Sequence, residues 1–341
     1  MAGQTGMSDL LGSGNFVPAF MSSPTQTLRL GTRGSLLART QSQLIATELE
    51  KHHPGLQVEL VMIKTSGDLI SDKPLHDLGG KGLFTKELEL ALLAGEVDFA
   101  VHSYKDVPVT MPLVDGAELI IAATPEREDV RDVLAFGQFP QGMEPLGLRD
   151  LPKGFRIGTG SLRRRCQILL HRPDLIVEPI RGNIDTRLRK LQEGQYDAII
   201  LAMAGLRRTG LFDASRMIVL EEKEMLPSPG QGALALQCRL QDDRTRELLA
   251  AIHQPHVDRC VKIERAIVAR LNGDCHSPIA ALATINGGQI HLQAVVGTRE
   301  GGLPVVRAQA TGPQDQGDTV TIDCLKKLEE QGVQQMLHSD R

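Results

Sequence analysis

The sequence predicts an α/β protein that has two units of similar construction and a smaller α+β unit at its C-terminal end. Strand-like and helix-like segments alternate from residue 28 to residue 122, and the same alternation restarts near Asp129. After the turn-rich segment Pro227–Gln231, helical segments precede short strand-like runs with Gly-rich turns. A chain of 341 residues is too long for a single domain of ordinary size and agrees with two or three domains.

The first unit begins with a strand and a capped helix. Ser35 is placed to cap a helix that continues to about His52. The other predicted elements are a helix at Leu83–Leu93 and strands at Leu28–Gly31, Val58–Ile63, Phe99–Val101 and Glu118–Ala122. Because strands alternate with helices, the pattern predicts a mainly parallel sheet.

The second and third units are predicted in the same way. Strands of the second unit are predicted at Arg156–Gly158, Leu175–Ile180 and Ala198–Ala202, and helices at Leu162–Leu170 and Ile184–Leu191. The third unit has predicted helices at Asp243–His253, at Val257–Leu271 and from about Thr321, and strands near Ile279–Thr284, Gln289–Val296 and Val305–Ala310. Short strands between helices and Gly-rich turns are typical of a small α+β domain.

Composition excludes several classes of protein. Lys plus Arg number 38 and Asp plus Glu number 42, so the net charge is −4, which is unfavourable for general binding to nucleic acid or anionic membrane. The five cysteines are odd in number and no two have CxxC spacing, which disfavours a disulfide framework or a zinc site. Residues 1–27 lack a basic region and a long apolar run, so we expect a cytoplasmic protein without a secretory signal.

Three predicted strand-to-helix turns combine a glycine, a capping hydroxyl or amide, and arginine. They are Thr32–Ser35, Gly158–Ser161 with Arg163 to Arg165 after it, and Arg181–Asn183 with Arg187 after it. Helix N-termini attract anions, and the arginine fork matches a carboxylate. Solvated surface arginines are the alternative reading, but arginine at a helix start opposes the dipole unless an anion is present. Three such turns therefore predict a cleft for a ligand with several carboxylates or phosphates, without a P-loop or dinucleotide fingerprint.

Two further segments carry candidate chemistry. Asp106 follows an apolar strand and precedes Pro108, so it is expected near the same cleft, where it could stabilise a cation on a substrate. An ion pair between Lys105 and Asp106 within the loop is an equally good interpretation. Cys275 lies in a loop before His276, and this setting indicates an accessible thiol whose ionisation His276 could assist, although most lone cysteines are inert.

The order of these motifs resembles that of the porphobilinogen deaminase family, also called hydroxymethylbilane synthases. The resemblance extends from about residue 28 to residue 280 and is specific as a set, although each motif alone is weak. Its motifs are Gly31–Ser35, Gly79–Phe84, Val101–Pro108, Ser161–Arg164, Arg181–Asn183, Ala204–Leu206, Pro229–Ala233 and the loop that holds Cys275.

The resemblance implies two periplasmic-binding-protein-like α/β domains that flank a cleft, plus a smaller α+β C-terminal domain. The implied domains are residues 28–125 with about 230–250, residues 126–229, and residues 251–341, after a disordered extension at residues 1–27. It also implies a dipyrromethane cofactor joined to Cys275 by a thioether. The implied activity is that of a monomeric transferase that joins four porphobilinogen molecules head to tail, releases ammonia each time, and yields hydroxymethylbilane.

The family's site roles are carried over by motif. Asp106 would be the catalytic residue. Cofactor contacts would come from Ser103, Lys105, Thr159, Ser161, Arg163, Arg164 and Arg208. Substrate carboxylates would bind to Arg33, Ser35, Arg181 and Arg187, and a lid would include Asp68 and Lys81. No metal ion is implied.

Three residues depart from the family pattern. Asp274 stands where a second glycine is usual, Gly160 replaces a serine, and Tyr104 replaces a methionine or leucine. Two other functions are the alternatives. One is a non-catalytic anion-binding protein of periplasmic type, and the other is a nucleic-acid binder that uses Arg163–Arg165 and Arg187–Lys190. The missing signal and the Cys275 loop disfavour the first, and the net charge and the scarcity of aromatic residues disfavour the second.

Overall fold

The computed structural model describes residues 1–2, 26–65, 85–114, 116–139 and 147–338. The predicted lid residues Asp68 and Lys81, the Gly79–Phe84 motif and most of the predicted N-terminal extension lie outside the described residues.

The described chain forms two five-stranded sheets and one three-stranded sheet. The strands are β1 (Gln26–Thr32), β2 (Leu56–Met62), β3 (Phe99–Ser103), β4 (Leu119–Ala123), β5 (Asp132–Phe136), β6 (Arg156–Gly158), β7 (Ile176–Glu178), β8 (Ala198–Ala202), β9 (Met217–Val219), β10 (Leu234–Arg239), β11 (Ile279–Asn286), β12 (Gln289–Val296) and β13 (Val306–Pro313). The strand orders are β2-β1-β3-β10-β4, β7-β6-β8-β5-β9 and β11-β12-β13.

Helices cover these sheets. They are α1 (Leu36–His52), α2 (Lys86–Leu93), α3 (Leu162–His171), α4 (Ile184–Gln192), α5 (Met203–Thr209), α6 (Asp243–Ala250), α7 (Pro255–Arg270), α8 (Gly317–Glu329) and α9 (Val333–His338). A short 3-10 turn at Tyr104–Asp106 directly follows β3. Two α/β units and a smaller antiparallel sheet packed on helices confirm the predicted fold class.

The prediction of mainly parallel sheets is confirmed, and each five-stranded sheet also contains one strand of opposite direction. In the first sheet β1 runs parallel to β2 and β3, but β10 runs antiparallel to β3 and β4. The second sheet repeats this arrangement, because β6 is parallel to β7 and β8 whereas β5 is antiparallel to β8 and β9. In each sheet the antiparallel strand lies next to a segment that crosses between the two sheets, and such a strand need not share the direction that a βαβ crossover imposes.

A buried ion pair joins both connections between the two five-stranded sheets to the third domain. These connections are the segment between β4 and β5 and the segment between β9 and β10. Arg127, in the first connection, forms a bidentate ion pair with Glu264 of α7 at 2.7 and 2.9 Å. Its Nε also donates to the carbonyl of Gln231, in the second connection, at 2.9 Å. The fully buried Glu264 also accepts backbone N–H bonds from Gly230 and Ala283. One carboxylate thus joins both connecting segments to a helix and a strand of the third domain.

Candidate active site

The three glycine-containing turns lie at the carboxyl ends of their strands. Ser35 caps α1 by accepting from the N–H of Ala38 at 3.3 Å, which confirms the predicted cap. Ser161 caps α3 by accepting from the N–H of Arg164 at 3.4 Å. In each of these two helices the capping hydroxyl therefore satisfies one backbone N–H group, and the other N–H groups of the first turn are available to a ligand.

Close packing brings the first and third turns together. Gly205 of α5 lies between Leu37 in the first turn of α1 and Ile184 at the start of α4, and a Cβ on it would meet Ile184 at 2.8 Å. This glycine therefore allows the first and third turns to approach each other. The second and third turns are also close enough for the positive charge of Arg164 to lower the pKa of Arg187.

The arginines of the second turn are buried in ion pairs. Arg163 and Arg164 pair with the two oxygens of Asp132 at 2.9 and 2.7 Å, and Asp132 is fully buried. Arg163 also donates to the carbonyl of Leu226, and Arg164 to that of Ile200. These two arginines, with an exposed fraction of 4–5%, are not a nucleic-acid-binding surface. The buried Nε of Arg164 has no hydrogen-bond partner within the described residues.

Within the described residues, Lys105 and Arg187 have no such carboxylate partner at ion-pair distance. Burial lowers the pKa of Lys105 to about 8, and its Nζ donates only a long bond of 3.4 Å, to Gln231, within the described residues. Burial and the charge of Arg164 lower the pKa of half-buried Arg187 to about 10. Positive groups that are desolvated without a full counter-charge favour an anionic ligand.

Asp106 lies close enough to both Lys105 and Arg187 for its charge to act on them. It ends the 3-10 turn, is exposed, and accepts no hydrogen bond from any side chain in the described part of the chain. Its charge acts on one residue in each of the three domains, namely Lys105, Arg187 and Cys275. Lys105, the partner in the predicted loop ion pair, forms no salt bridge with Asp106 among the described residues and is only one of the groups on which this charge acts.

Cys275 is distinguished by access and not by acidity. It is exposed, whereas the other four cysteines, Cys166, Cys238, Cys260 and Cys324, are buried. Surrounding protein atoms, with the charges of Asp106 and Asp274, raise the pKa of the Cys275 thiol to about 11. The raised pKa, whose largest cause is burial, gives no support to the expected help from His276, which stays a prediction.

One pocket contains the thiol and several predicted contacts. It is lined by Cys275, Lys105, Ser161, Arg163, Arg265 and Asp274, together with apolar and small side chains. The site thus joins the end of a domain 1 strand, the start of a domain 2 helix and the cysteine loop.

The remaining predicted residues lie at varying distances from this pocket. Ser103 exchanges hydrogen bonds with Gln41 at 3.0 and 3.2 Å, and Thr159, which is 5% exposed, accepts from the N–H of Ser161. Arg208 donates to the carbonyl of Gly232 at 2.7 Å, and burial lowers its pKa to about 10. Half-buried Arg33 acts electrostatically on His102 in domain 1, and Arg181 is half-buried near Arg187.

The departures from the family pattern are compatible with the local structure. Asp274 has no positive φ, so glycine is not required there, and its Oδ1 accepts from the N–H of His276 and the hydroxyl of Ser277. Gly160 fits a tight site, because a Cβ there would lie 3.0 Å from the carbonyl oxygen of Ile180. The ring of Tyr104, which is 4% exposed, lies 5.0 Å from the guanidinium of Arg265.

Sequence reasoning missed Asp132, Gln231 and Arg265. Gln231 donates to Asp132 at 2.9 Å, and Arg265 donates to backbone carbonyls around the 3-10 turn. Their partners are between 31 and 161 residues away in the sequence, so no local pattern indicates them. The sequence contained one sign of a buried charge, because Asp132 lies in an apolar run that forms β5, and buried aspartates are almost always paired.

The described residues contain neither a metal-binding cluster nor a membrane-spanning helix. No group of three or more His, Cys, Asp or Glu side chains in the described ranges has a metal-binding arrangement. Among the helices that the structure describes, none is long and apolar enough to cross a membrane.

Two family models match most of the chain. The model for the porphobilinogen deaminase dipyromethane cofactor binding domain matches residues 28–247, and the model for the porphobilinogen deaminase C-terminal domain matches residues 259–330. Together they include the cleft residues and the loop that contains Cys275.

Solved structures are similar only at a low level. The ligand-binding component of an ABC-type import system from Staphylococcus aureus is 13% identical, with 67% of this chain and 71% of that chain covered and a TM-score of 0.36. The periplasmic aliphatic sulphonate binding protein SsuA from Escherichia coli is 16% identical, with 73% and 71% covered and a TM-score of 0.37. These values add nothing to the sheet orders described above.

Proposed function

The chain belongs to the porphobilinogen deaminase family of transferases, and on this premise we propose that it acts as a hydroxymethylbilane synthase. It joins four porphobilinogen molecules head to tail, releases one ammonia with each, and frees the product by hydrolysis. The growing chain is carried on a dipyrromethane primer that is attached to Cys275 by a thioether. The product is the linear precursor of uroporphyrinogen in tetrapyrrole synthesis.

The residues around Cys275 fit such a primer. Dipyrromethane made from two porphobilinogen units carries several carboxylates, and the pocket offers the desolvated Lys105 and the orphaned Nε of buried Arg164 nearby. Ser161, Arg163 and Cys275 line the same pocket, and this observation carries the proposal. When bound, the group supplies the pyrrole to which the first substrate is joined.

Asp106 is the proposed catalytic residue. Loss of ammonia from porphobilinogen leaves an electron-poor cation, and an ionised carboxylate fixed beside it lowers the barrier. Asp106 is free for this role because no described side chain donates a hydrogen bond to it. Its proximity to Cys275 supports a reaction centre close to the attachment point.

The cations of the cleft hold carboxylates in this proposal. Each porphobilinogen brings an acetate and a propionate, so the load of negative charge rises with every addition. Arg187 and Arg181 lie near each other and near Arg164, and a desolvated cluster of positive charge is relieved when carboxylates bind. Arg33 and Ser35 provide a further contact at the start of α1.

Turnover of porphobilinogen tests the proposal directly. Purified protein should consume porphobilinogen and release four ammonia molecules for each hydroxymethylbilane formed. Binding of porphobilinogen without ammonia release would favour the alternative function of a non-catalytic anion-binding protein and would contradict the proposal.

A further inference from the structure

Arg265 belongs to domain 3 but bonds to domain 1. It lies on α7, the helix that leads into the Cys275 loop. Its Nη1 donates to the carbonyl of Val107 at 2.8 Å and, more weakly, to that of Tyr104 at 3.4 Å, and its Nη2 donates to the carbonyl of Pro108 at 2.7 Å. The carbonyl of Tyr104 belongs to the 3-10 turn that presents Lys105 and Asp106, and those of Val107 and Pro108 directly follow it.

The 3-10 turn has few other anchors. Within the described residues its backbone is held by one internal bond, from Val107 N–H to the carbonyl of Tyr104, and by one bond from Tyr104 N–H to the carbonyl of Ala233. A single turn of this kind has poor hydrogen-bond geometry. The guanidinium of Arg265 therefore supplies most of the hydrogen bonds that fix the C-terminal side of the turn, directly after Asp106.

The same guanidinium lies beside the thiol. Arg265 and Cys275 line one pocket, and each acts electrostatically on the other. Its plane also lies against the buried ring of Tyr104, at 5.0 Å from the ring centroid. Tyr104 in turn packs in one apolar cluster with Val257 and Val261 of the same helix. Planar guanidinium suits both the aromatic face and the spread of carbonyls, which an ammonium group does not.

We propose that Arg265 is a positioning residue that holds Asp106 of domain 1 in register with Cys275 of domain 3, with Tyr104 as the surface on which it rests. This inference rests on the proposed function, because it assigns Arg265 an effect on the reaction centre. Misplacement of a reacting group by about 1 Å can cost about a hundredfold in rate. Loss of the clamp should therefore lower kcat, whereas carboxylate binding by other cations, and so KM, should change little.

The test compares Arg265→Met, Arg265→Lys and a control on the same helix. Arg259→Met is the control, because Arg259 is exposed and donates only to the carbonyl of Gln314 among the described residues. Steady-state kinetics with porphobilinogen, well below the thermal midpoint of each variant, should give a kcat at least about tenfold lower for Arg265→Met with KM within about twofold. Arg265→Lys should be intermediate, and Arg259→Met should match the wild type.

A second variant keeps the test decisive if Arg265→Met does not fold. Tyr104→Leu removes the aromatic surface but leaves the carbonyl bonds, and we expect kcat to fall about twofold to threefold. Intact mass should show the same adduct on every folded variant as on the wild type.

Three outcomes would overturn the inference. They are a wild-type kcat in Arg265→Met, a wild-type kcat in Tyr104→Leu when Arg265→Met is unfolded, and loss of the adduct in Arg265→Met, which would make Arg265 an attachment residue. A wild-type protein without turnover would overturn the proposed function as well, so the two failures are distinguishable.

Discussion

Asp132 and Asp106 are two carboxylates among arginines, but their surroundings give them opposite roles. Asp132 is fully buried, and its ion pairs with Arg163 and Arg164 hold the pKa of its carboxyl well below the usual range despite the opposing effect of burial. Asp106 is exposed and accepts no side-chain hydrogen bond within the described residues. The buried carboxylate organises cations, whereas the exposed one is available to a substrate.

This difference changes the interpretation of the arginine-rich turn. Because Asp132 pairs with two arginines, Arg163 and Arg164 do not offer two free positive charges to a ligand. The uncompensated charge in the described cleft is found instead at Lys105 and Arg187, whose pKa values are lowered by burial. Contacts from Arg163 and Arg164 to the cofactor remain a prediction, made through the N–H groups that Asp132 does not use.

The largest expected effect comes from removal of the buried charge. Asp132→Asn leaves Arg163 and Arg164 buried without a counter-ion, so the free energy of unfolding should fall by about 3–5 kcal/mol. Urea denaturation at pH 7 measures this loss. Asp318→Asn is the control, because its carboxylate is 90% exposed and should change the free energy by less than about 0.5 kcal/mol.

The pH dependence of this stability has a defined sign. The pKa of Asp132 is lowered on folding, so its contribution is complete above the unfolded pKa of about 3.9 and is lost as pH falls toward the folded value. The difference in stability between wild type and Asp132→Asn should therefore shrink in acid. A difference that stays constant from pH 7 to pH 3 would contradict the ion-pair interpretation.

Asp106→Asn should remove turnover and leave the fold intact. An amide lacks the charge that stabilises a cation, so kcat should fall by about 10²–10³-fold or more, while circular dichroism and the thermal midpoint stay close to those of the wild type. Asp318→Asn again serves as the control for a surface carboxylate. Retention of most of the activity by Asp106→Asn would remove Asp106 from the catalytic role.

Binding of polyanions at Lys105 should weaken as pH rises. The Lys105 pKa of about 8 lies below the unfolded value of about 10.4, so the empty site loses this charge as pH rises through 8. Citrate, used as an inert polycarboxylate, should bind to Cys275→Ala with an affinity that falls up to about tenfold between pH 7 and pH 9. Calorimetric titration checks this, and Lys105→Arg should abolish most of the fall. An equal fall in both proteins would contradict it.

The smallest expected effect concerns Asp274. Its charge raises the pKa of the Cys275 thiol, so Asp274→Asn should speed alkylation of adduct-free protein by iodoacetamide at pH 8 by about twofold to threefold. The amide oxygen can still accept the bonds from His276 and Ser277, whereas Asp274→Gly loses them. Slower alkylation of Asp274→Asn would show that the loop geometry, and not the charge, controls the thiol.

Local signals predicted much of the fold. The caps at Ser35 and Ser161 and the strand Ala198–Ala202 were confirmed at the predicted positions, because hydroxyl caps and apolar runs act over a few residues. The strand β1 begins at Gln26, two residues before the predicted start. The strands β5, β9 and β10 and the helix α5 were not predicted, since they are short or follow turn-rich segments and are stabilised by long-range pairing.

The site was predictable in composition but not in pairing. Arginines at helix starts, Asp106 and Cys275 could be found in the sequence, and charge and pocket geometry bring several of them together. The assignment of Arg163 and Arg164 to Asp132, and of Arg265 to the turn beside Asp106, depends on contacts across 31 to 158 residues. Such contacts are set by the tertiary fold, so no motif in one sequence contains them.

Intact mass with peptide mapping tests the central claim most directly. After incubation with porphobilinogen, the 37.1 kDa chain should carry the added mass of a dipyrromethane, and this mass should map to the peptide that contains Cys275. Cys275→Ala should have the bare chain mass. A wild-type protein with the bare chain mass, or an adduct that maps to another residue, would contradict it.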